Sequence, residues 1–495
     1  MDYTPQPWEM GPPRPVMPLR FPTGKRELVF AICIFLCSLC LCNGVLMGGF
    51  QLGFAIAAVC TILCSVGYLI AAGRKLTFYS GSLLTFSLLI AAGFARADDG
   101  FVKFVLLQFL FVSANLGLCL LAGQNRRGSG VFASLADAFR GFFTMGFSLP
   151  PAFSGIVHKV RNGGPGVKTA GAILVGLCVA APVLLIVVPL LISADAAFEG
   201  LLGLLPEFAF DEAIVTVLFG TGAACVFYTQ GVALRHYPEP TPAKAMKGKQ
   251  WNPLTINTVL IAVAVVYGVY LFSQLAYFIG GFSGILPEEF TLAQYARRGF
   301  FEMSWLCAIN LGIIIGAVSL VKKQEGLVPV VTKVLCLFLG LVTLFLVATA
   351  SGKMVLYINS FGLTRLRLLT ELIILFFAIA TVVISLLLFR PNLPYMKILL
   401  LAALCIGTVT IWADVDTVVA SYNVSAYRSG KLEHIDLDYL EELGHGAIPQ
   451  IARLTDDPNP DVARTAKEIL EDAYIWEYDW RGWNYATAQA QEVVD

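Results

Sequence analysis

The stretch "LLTELIILFFAIATVVISLLLFRPNLPYMKILLLAALCIGTVTIWADVD", residues 368–416, decides the fold. Two apolar runs flank the tight turn Arg390-Pro391-Asn392-Leu393-Pro394. Each is about twenty residues long, enough for a helix to cross roughly 30 Å of hydrocarbon. A chain in lipid must satisfy its own backbone hydrogen bonds, so each run reads as a helix. A turn this short makes the two helices antiparallel. Counting outward from it puts Glu371 level with Asp414, and Arg367 within a helical turn of Asp414 and Asp416. A carboxylate near hydrocarbon is costly unless paired, so a cluster of Arg365, Arg367, Glu371, Asp414 and Asp416 is expected.

The same pattern fills most of the chain. Hydrophobic residues make up 57% and charged residues 14%, against about 25% charged in soluble domains. Spans are expected near 28–48, 52–72, 76–95, 101–122, 168–192, 213–234, 254–280, 300–321, 328–350, 368–389 and 395–416. The fold class is therefore an all-α integral membrane protein, with about 11 transmembrane helices and a small C-terminal helical domain. The expected organisation begins with a proline-rich cytoplasmic N-terminus (1–27) and a four-helix membrane segment (28–122). A cytoplasmic loop with an interfacial helix (123–167), a seven-helix core (168–416) and an extracytoplasmic helical tail (417–495) follow. The interfacial helix rests on Val131, Leu135, Phe139, Phe142 and Phe143, which recur at helical spacing.

Basic residues orient the chain. Arg14, Arg20, Lys25, Arg26, Arg74, Lys75, Arg126, Arg127, Arg235, Lys322 and Arg390 fall on one side, and far fewer on the other. The positive-inside rule puts the N-terminus in the cytoplasm, and an odd span count puts the C-terminus outside. In that topology Ser351 to Arg367 is an outside connection, and Lys353, Arg365 and Arg367 run locally against the trend.

Two other outside segments carry polar patterns. In "PLLISADAAFEGLLGLLPEFAFDEA", Ser193 is placed as an N-cap with Asp195 in the first turn and Glu199 beyond it, among five acids and no base. In "GILPEEFTLAQYARRGFFEMSW", Arg298 and Glu302 are four apart and able to pair, next to Tyr295. The tail changes composition sharply. Leu437, Leu440 and Leu443, then Ile448, Ile451 and Leu454, then Val462, Ala466, Ile469 and Leu470 form stripes of short helices. Trp476, Trp480 and Trp483 suit packing on that domain or an interfacial aromatic belt.

Known chemistry is sparse. All twelve cysteines fall in apolar runs and none lies in the tail, which argues against a disulfide framework. Cys33, Cys37 and Cys40 share a helical face but have no His or carboxylate beside them, and His434 and His445 have no second ligand pair, so no metal and no cofactor is expected. Asn423-Val424-Ser425 matches the short glycosylation pattern. Zero net charge gives a nucleic-acid partner no electrostatic support. No catalytic signature is present, so no catalytic residue is assigned.

The blocks "PLLISADAAF", "YARRGFFEMSW", "YINSFGLTRLRL", "ASYNVSAYRSGKLEHIDLDYLEELGHGAIPQI" and "DWRGWN" follow one another in order. Together, over roughly residues 165–485, they resemble the bacterial multi-pass membrane proteins of the four-one-five-three and four-one-seven-three group of domains of unknown function, while spans one to four look generic. The resemblance implies a plasma (cell inner) membrane protein, with Ser193, Asp195, Tyr295, Arg298, Gly299, Phe300, Tyr357, Gly362, Arg365, Arg367, Tyr422, Asn423, Asp436, Tyr439 and Leu440 at motif positions. Arg297 departs from the pattern in being basic.

Three functions follow. One is transport or the handling of a lipid headgroup or other anionic ligand at the outer face, where Arg298, Arg365 and Arg367 would suit the charge. Another is a sensor or assembly protein whose tail binds an extracytoplasmic protein partner. The third is a membrane-embedded enzyme using Asp195, Glu371 or Asp414. In every case the lipid bilayer is the first partner.

Overall fold

The computed structural model describes residues 21–124 apart from 23, residues 136–148 apart from 145, isolated positions between 154 and 169, and 210–237, 250–282, 300–322, 328–390, 393–473 and 479–494. Among them nine helices are long and apolar enough to cross a membrane, and Phe78–Gly93 is apolar but shorter. The protein is a multi-pass helical membrane protein. The expected span at 168–192 and the loop residues Ser193, Asp195, Glu199, Tyr295 and Arg298 lie outside the described residues, as does the side chain of Glu302.

Two compact units share the chain. The first holds α1 (Lys25–Gly48), α2 (Leu52–Ala71), α3 (Phe78–Gly93), α4 (Gly100–Leu121) and α5 (Phe210–His236). Small residues let these helices touch backbone to backbone. A Cβ on Gly44 would lie 2.6 Å from the carbonyl carbon of Gly53, and one on Gly220 would lie 3.1 Å from the Cα of Leu39. Glu27 is buried where α1, α2 and α5 meet. It is ion-paired with Arg235, and it accepts from Tyr68 Oη at 3.2 Å and from the Gly24 N–H at 2.6 Å. A carboxylate removed from water needs this full set of partners.

Residues 136–139 are helical and lead into a π-helical turn, Arg140–Thr144; the start of the expected interfacial helix, Val131 and Leu135, lies outside the described residues. Phe142 meets Phe111 of α4 edge-on, with ring centroids 5.0 Å apart. The DWRGWN block also belongs to this unit. Its 3₁₀ turn, Trp480–Gly482, sits on the α1–α2 connection, where Asn484 Nδ2 donates to Gln51 Oε1 at 2.6 Å and Arg481 Nη1 donates to Asn43 Oδ1 at 2.9 Å. The polar residues of the block do the docking, while Trp480 stays 61% exposed.

The second unit holds α6 (Pro253–Phe282), α7 (Phe300–Leu320), α8 (Val330–Phe361), α9 (Arg365–Leu386) and α10 (Tyr395–Ala413). After them come α11 (Val415–Arg428), α12 (Leu437–Glu442), α13 (Ile448–Ile451), α14 (Pro460–Asp472) and α15 (Tyr485–Val494). A polar thread crosses its apolar core: Tyr267 Oη donates to Asn310 Oδ1 at 2.8 Å, and Asn310 Nδ2 donates to Thr343 Oγ1 at 3.1 Å. Such bonds hold transmembrane helices together where lipid supplies no hydrophobic drive between them.

The expected outside connection from Ser351 to Arg367 is corrected here. α8 runs on through Lys353 to Phe361, so only Gly362-Leu363-Thr364 links it to α9. At 32 residues α8 is about 48 Å long, well beyond the hydrocarbon thickness. Polar Ser351, Lys353 and Asn359 had read as a loop, yet none of them breaks a helix. The break comes at Gly362, whose φ of 76° favours glycine.

Gly44→Val is expected to destabilise the purified protein by about 1–3 kcal/mol, because neither backbone at the crossing can move away. Gly67→Ala, with nothing within 4 Å of the new carbon, should not lower the apparent melting temperature in detergent.

Candidate functional site

The site forms where α9 begins, α10 ends and the tail helices pack. Arg365 is the first residue of α9, capped by Thr364, whose side chain accepts from the Arg367 N–H. Its Nε is ion-paired with Asp416 Oδ1 and lies 3.0 Å from Asp99 Oδ2. Its Nη2 donates to the Leu443 carbonyl at 3.1 Å, and its backbone N–H donates to Tyr439 Oη at 2.8 Å. One residue thus holds α9, α11, α12 and the segment Ala97–Asp99, which belongs to the same unit.

Three carboxylates are buried here: Asp99 at 7% exposure, Asp414 at 3% and Asp416 at 1%. Asp414 has φ 59°, the sole positive value at a described non-glycine residue, a conformation that costs energy in an L-residue. It joins α10 to α11, and its Oδ2 accepts from Thr417 Oγ1 at 2.7 Å. Thr417 Oγ1 also reaches the Gly446 carbonyl at 3.2 Å. Gly446 packs closely here: a Cβ on it would lie 3.1 Å from Asp416 Cβ and 3.2 Å from Asp414 Oδ2, so these carboxylates would have to give way. Beside the cluster, His445 Nδ1 is 2.9 Å from Asp98 Oδ2.

Burial raises the pKa of Asp416 most strongly, the hydrogen bond and charge of Arg365 lower it, and Asp99 and Asp414 raise it again. The carboxyl is pushed up to about 6 from 3.8. Burial likewise raises Tyr439 above the usual phenol range.

Two members of the expected cluster have other partners. Arg367 turns back to the end of α8, where Nη1 donates to the Phe361 carbonyl at 3.0 Å and to that of Gly362, and its guanidinium lies 4.0 Å from the centre of the Tyr357 ring. Because α8 extends to Phe361, its unsatisfied C-terminal carbonyls lie within reach, and a base there also meets the helix dipole. Glu371 instead accepts from Ser351 Oγ at 2.9 Å, fastening α8 to α9. Glu371 Oε1 is buried with no hydrogen-bond partner among the described residues.

The tail motif residues have structural partners. Asn423 clamps the α8–α9 turn: Oδ1 accepts from the Leu363 N–H at 2.7 Å, and Nδ2 donates to the Leu363 carbonyl at 2.8 Å. A side chain so engaged is not presented as a glycosylation acceptor. Asp436 caps α12 by accepting from the Tyr439 N–H, and Tyr422 Oη donates to Asn359 Oδ1 at 3.4 Å. Asp98, Asp99, Thr417, Gly446 and the Leu443 carbonyl were missed from sequence. The signal was available for the two aspartates, since the expected topology puts residues 96–100 on the same side as Arg365 and Asp414.

The model of a domain of unknown function, DUF4153, matches residues 84–454. The chain belongs to this family. The match begins inside α3, well before the 165 expected from the motif blocks, and ends at Leu454, before DWRGWN. α4 is therefore part of the family segment, while α1, α2 and the last tail helices are not. No curated protein and no solved structure matches the chain.

An acid whose pKa is raised by folding adds stability below its unfolded value and loses it as pH rises through the folded value. For Asp416 the window runs from 3.8 to about 6. The apparent melting temperature of wild type, compared with Asp416→Asn, is expected to fall across that window. A difference between the two that stays flat with pH would count against it. Asn423→Ala leaves both Leu363 groups buried and unpaired, and should cost about 2–4 kcal/mol in the same assay.

Proposed function

We propose that this DUF4153 protein is a bacterial plasma-membrane sensor or assembly factor, with its N-terminus cytoplasmic and its C-terminal helices extracytoplasmic. In this reading α11 to α14 receive a protein partner, and its binding is passed to the spans. The observation that carries it is Arg365, which holds the first residue of a membrane span to Asp416, Tyr439 and Leu443 of the helices beyond the spans. A displacement of α11 or α12 must be felt at α9, since a buried charged network tolerates discrete rearrangement better than gradual stretching.

Transport or headgroup handling draws less support from these residues. Arg365 and Arg367 both have partners within the chain, and the surroundings of Arg365 hold more acid than base. An anion would have to displace carboxylates to reach it.

A photoreactive phenylalanine derivative in place of exposed Lys467 on α14 tests the reading in cells. One extracytoplasmic protein should be captured by the otherwise wild-type chain and lost when Arg365→Ala is added. Capture of lipid alone, with stoichiometric lipid retained by wild type but not by Arg365→Ala, would favour headgroup handling instead.

A further inference from the structure

α1 and α2 form an antiparallel hairpin closed by the short Gly49–Gln51 connection. Gly44 and Gly53 are level at its crossing. At the other end the helices are still together: Arg26 Nη1 donates to the Ala71 carbonyl at 2.7 Å, and Phe30 stacks on Tyr68 with ring centroids 4.2 Å apart. Seven residues from the glycines, on each helix, the same register sets Cys37 opposite Cys60; four further, it sets Cys33 opposite Cys64. Steps of seven and four keep each set on one helix face. The contacts agree with this register. The Cys33 thiol adjoins the Cys64 thiol, and Cys60 is foremost among the thiols that act on Cys37. Reading one helix at a time finds the face of Cys33, Cys37 and Cys40 but not the thiols across from it.

We propose that Cys33 and Cys64 are a redox-active thiol pair within the membrane, oxidised to a disulfide by a lipid-soluble quinone. The two S–H bonds break and one S–S bond forms; two electrons and two protons pass to the quinone, which leaves as hydroquinone. The surroundings favour this chemistry over metal binding. A four-thiolate site on a divalent cation would place net negative charge in hydrocarbon, whereas the dithiol, the disulfide, the quinone and the hydroquinone are all neutral. Among the described residues, no group of three or more His, Cys, Asp or Glu is arranged to hold a metal. Cys33 and Cys60 are exposed on the helix surface, so an oxidant dissolved in lipid can reach the set from the side. A disulfide needs its two Cα atoms within about 4.4–6.8 Å, which demands close helices, and the glycine crossing brings α1 and α2 together. The product would staple α1 to α2, and α1 in turn packs on α5. This hairpin precedes the segment matched by the family model, so the inference stands apart from the proposed function.

The full-length chain in nanodiscs, reduced with a membrane-permeant phosphine and freed of it, is exposed without oxygen to a fully substituted benzoquinone, which cannot add to thiols. Thiols are then alkylated and the protein digested for mass spectrometry. A Cys33–Cys64 cross-linked peptide with one hydroquinone per cross-link is expected, retained in Cys37→Ser and abolished in Cys33→Ser. Four alkylated thiols and no hydroquinone in wild type would overturn the proposal. A disulfide found only between Cys37 and Cys60 would overturn the assignment to Cys33.

Discussion

A guanidinium withdrawn from water must be met by carboxylates and carbonyls placed for it, and those partners must come from somewhere in the chain. Arg365 draws them from segments far apart in sequence: Asp99, Asp416 and the Leu443 carbonyl, with Tyr439 on its backbone N–H. The local architecture of the second unit follows from this demand. α9 must begin close to the end of α10, α11 must start with its acid turned inward, and the 3₁₀ turn at Gly444–Ala447 must come near enough that a side chain at 446 would crowd Asp414 and Asp416. Asp414 adopts a left-handed conformation because the chain has to leave α10 and enter α11 without carrying Asp416 away from the guanidinium.

The neighbouring contacts relieve problems that this arrangement creates. An overlong α8 leaves carbonyls unsatisfied at Phe361 and Gly362, and Arg367 answers them. The link Gly362-Leu363-Thr364 is too short to form much structure of its own, so Asn423 bonds both polar groups of Leu363 from α11. Each of these side chains satisfies a backbone group that neither water nor a regular helix would reach.

Much of the membrane part was legible because hydrophobic run length is a one-dimensional signal, and lipid leaves few alternatives to a helix. The end of α8 was not, because Ser351, Gly352 and Lys353 lower hydropathy without ending a helix, whereas Gly362 ends it through its backbone conformation. Within the site, the expected cluster included Arg365 and Asp416, which are ion-paired, but the count along two helices joined by a tight turn had set Arg367 and Glu371 nearest the two aspartates. The count missed their partners, since helical spacing of four permits a pair but cannot rank it against carbonyls contributed by the preceding helix. Asp99 lay beyond a count along these two helices, although the expected topology put it on the same side as Arg365. The same limit hid Cys60 and Cys64, which become neighbours of Cys33 and Cys37 only once the two helices are set in register.

Two buried ionic sites, one in each unit, differ in a way that bears on function. Glu27 faces Arg235 with Tyr68 and a backbone N–H completing its shell, so one acid meets one base and the carboxylate is well supplied with donors. At Arg365 the guanidinium meets both Asp99 and Asp416, and Asp414 adds its charge beside Asp416. Burial holds the Asp416 carboxyl up at about 6 in spite of the guanidinium beside it, so a proton on Asp416 is the natural means of relief. Asp416 Oδ2, buried with no hydrogen-bond partner among the described residues, is an atom that such a proton could occupy. The first site is built to stay as it is. The second, at the junction between a span and the helices beyond it, holds a carboxyl whose charge changes at about pH 6.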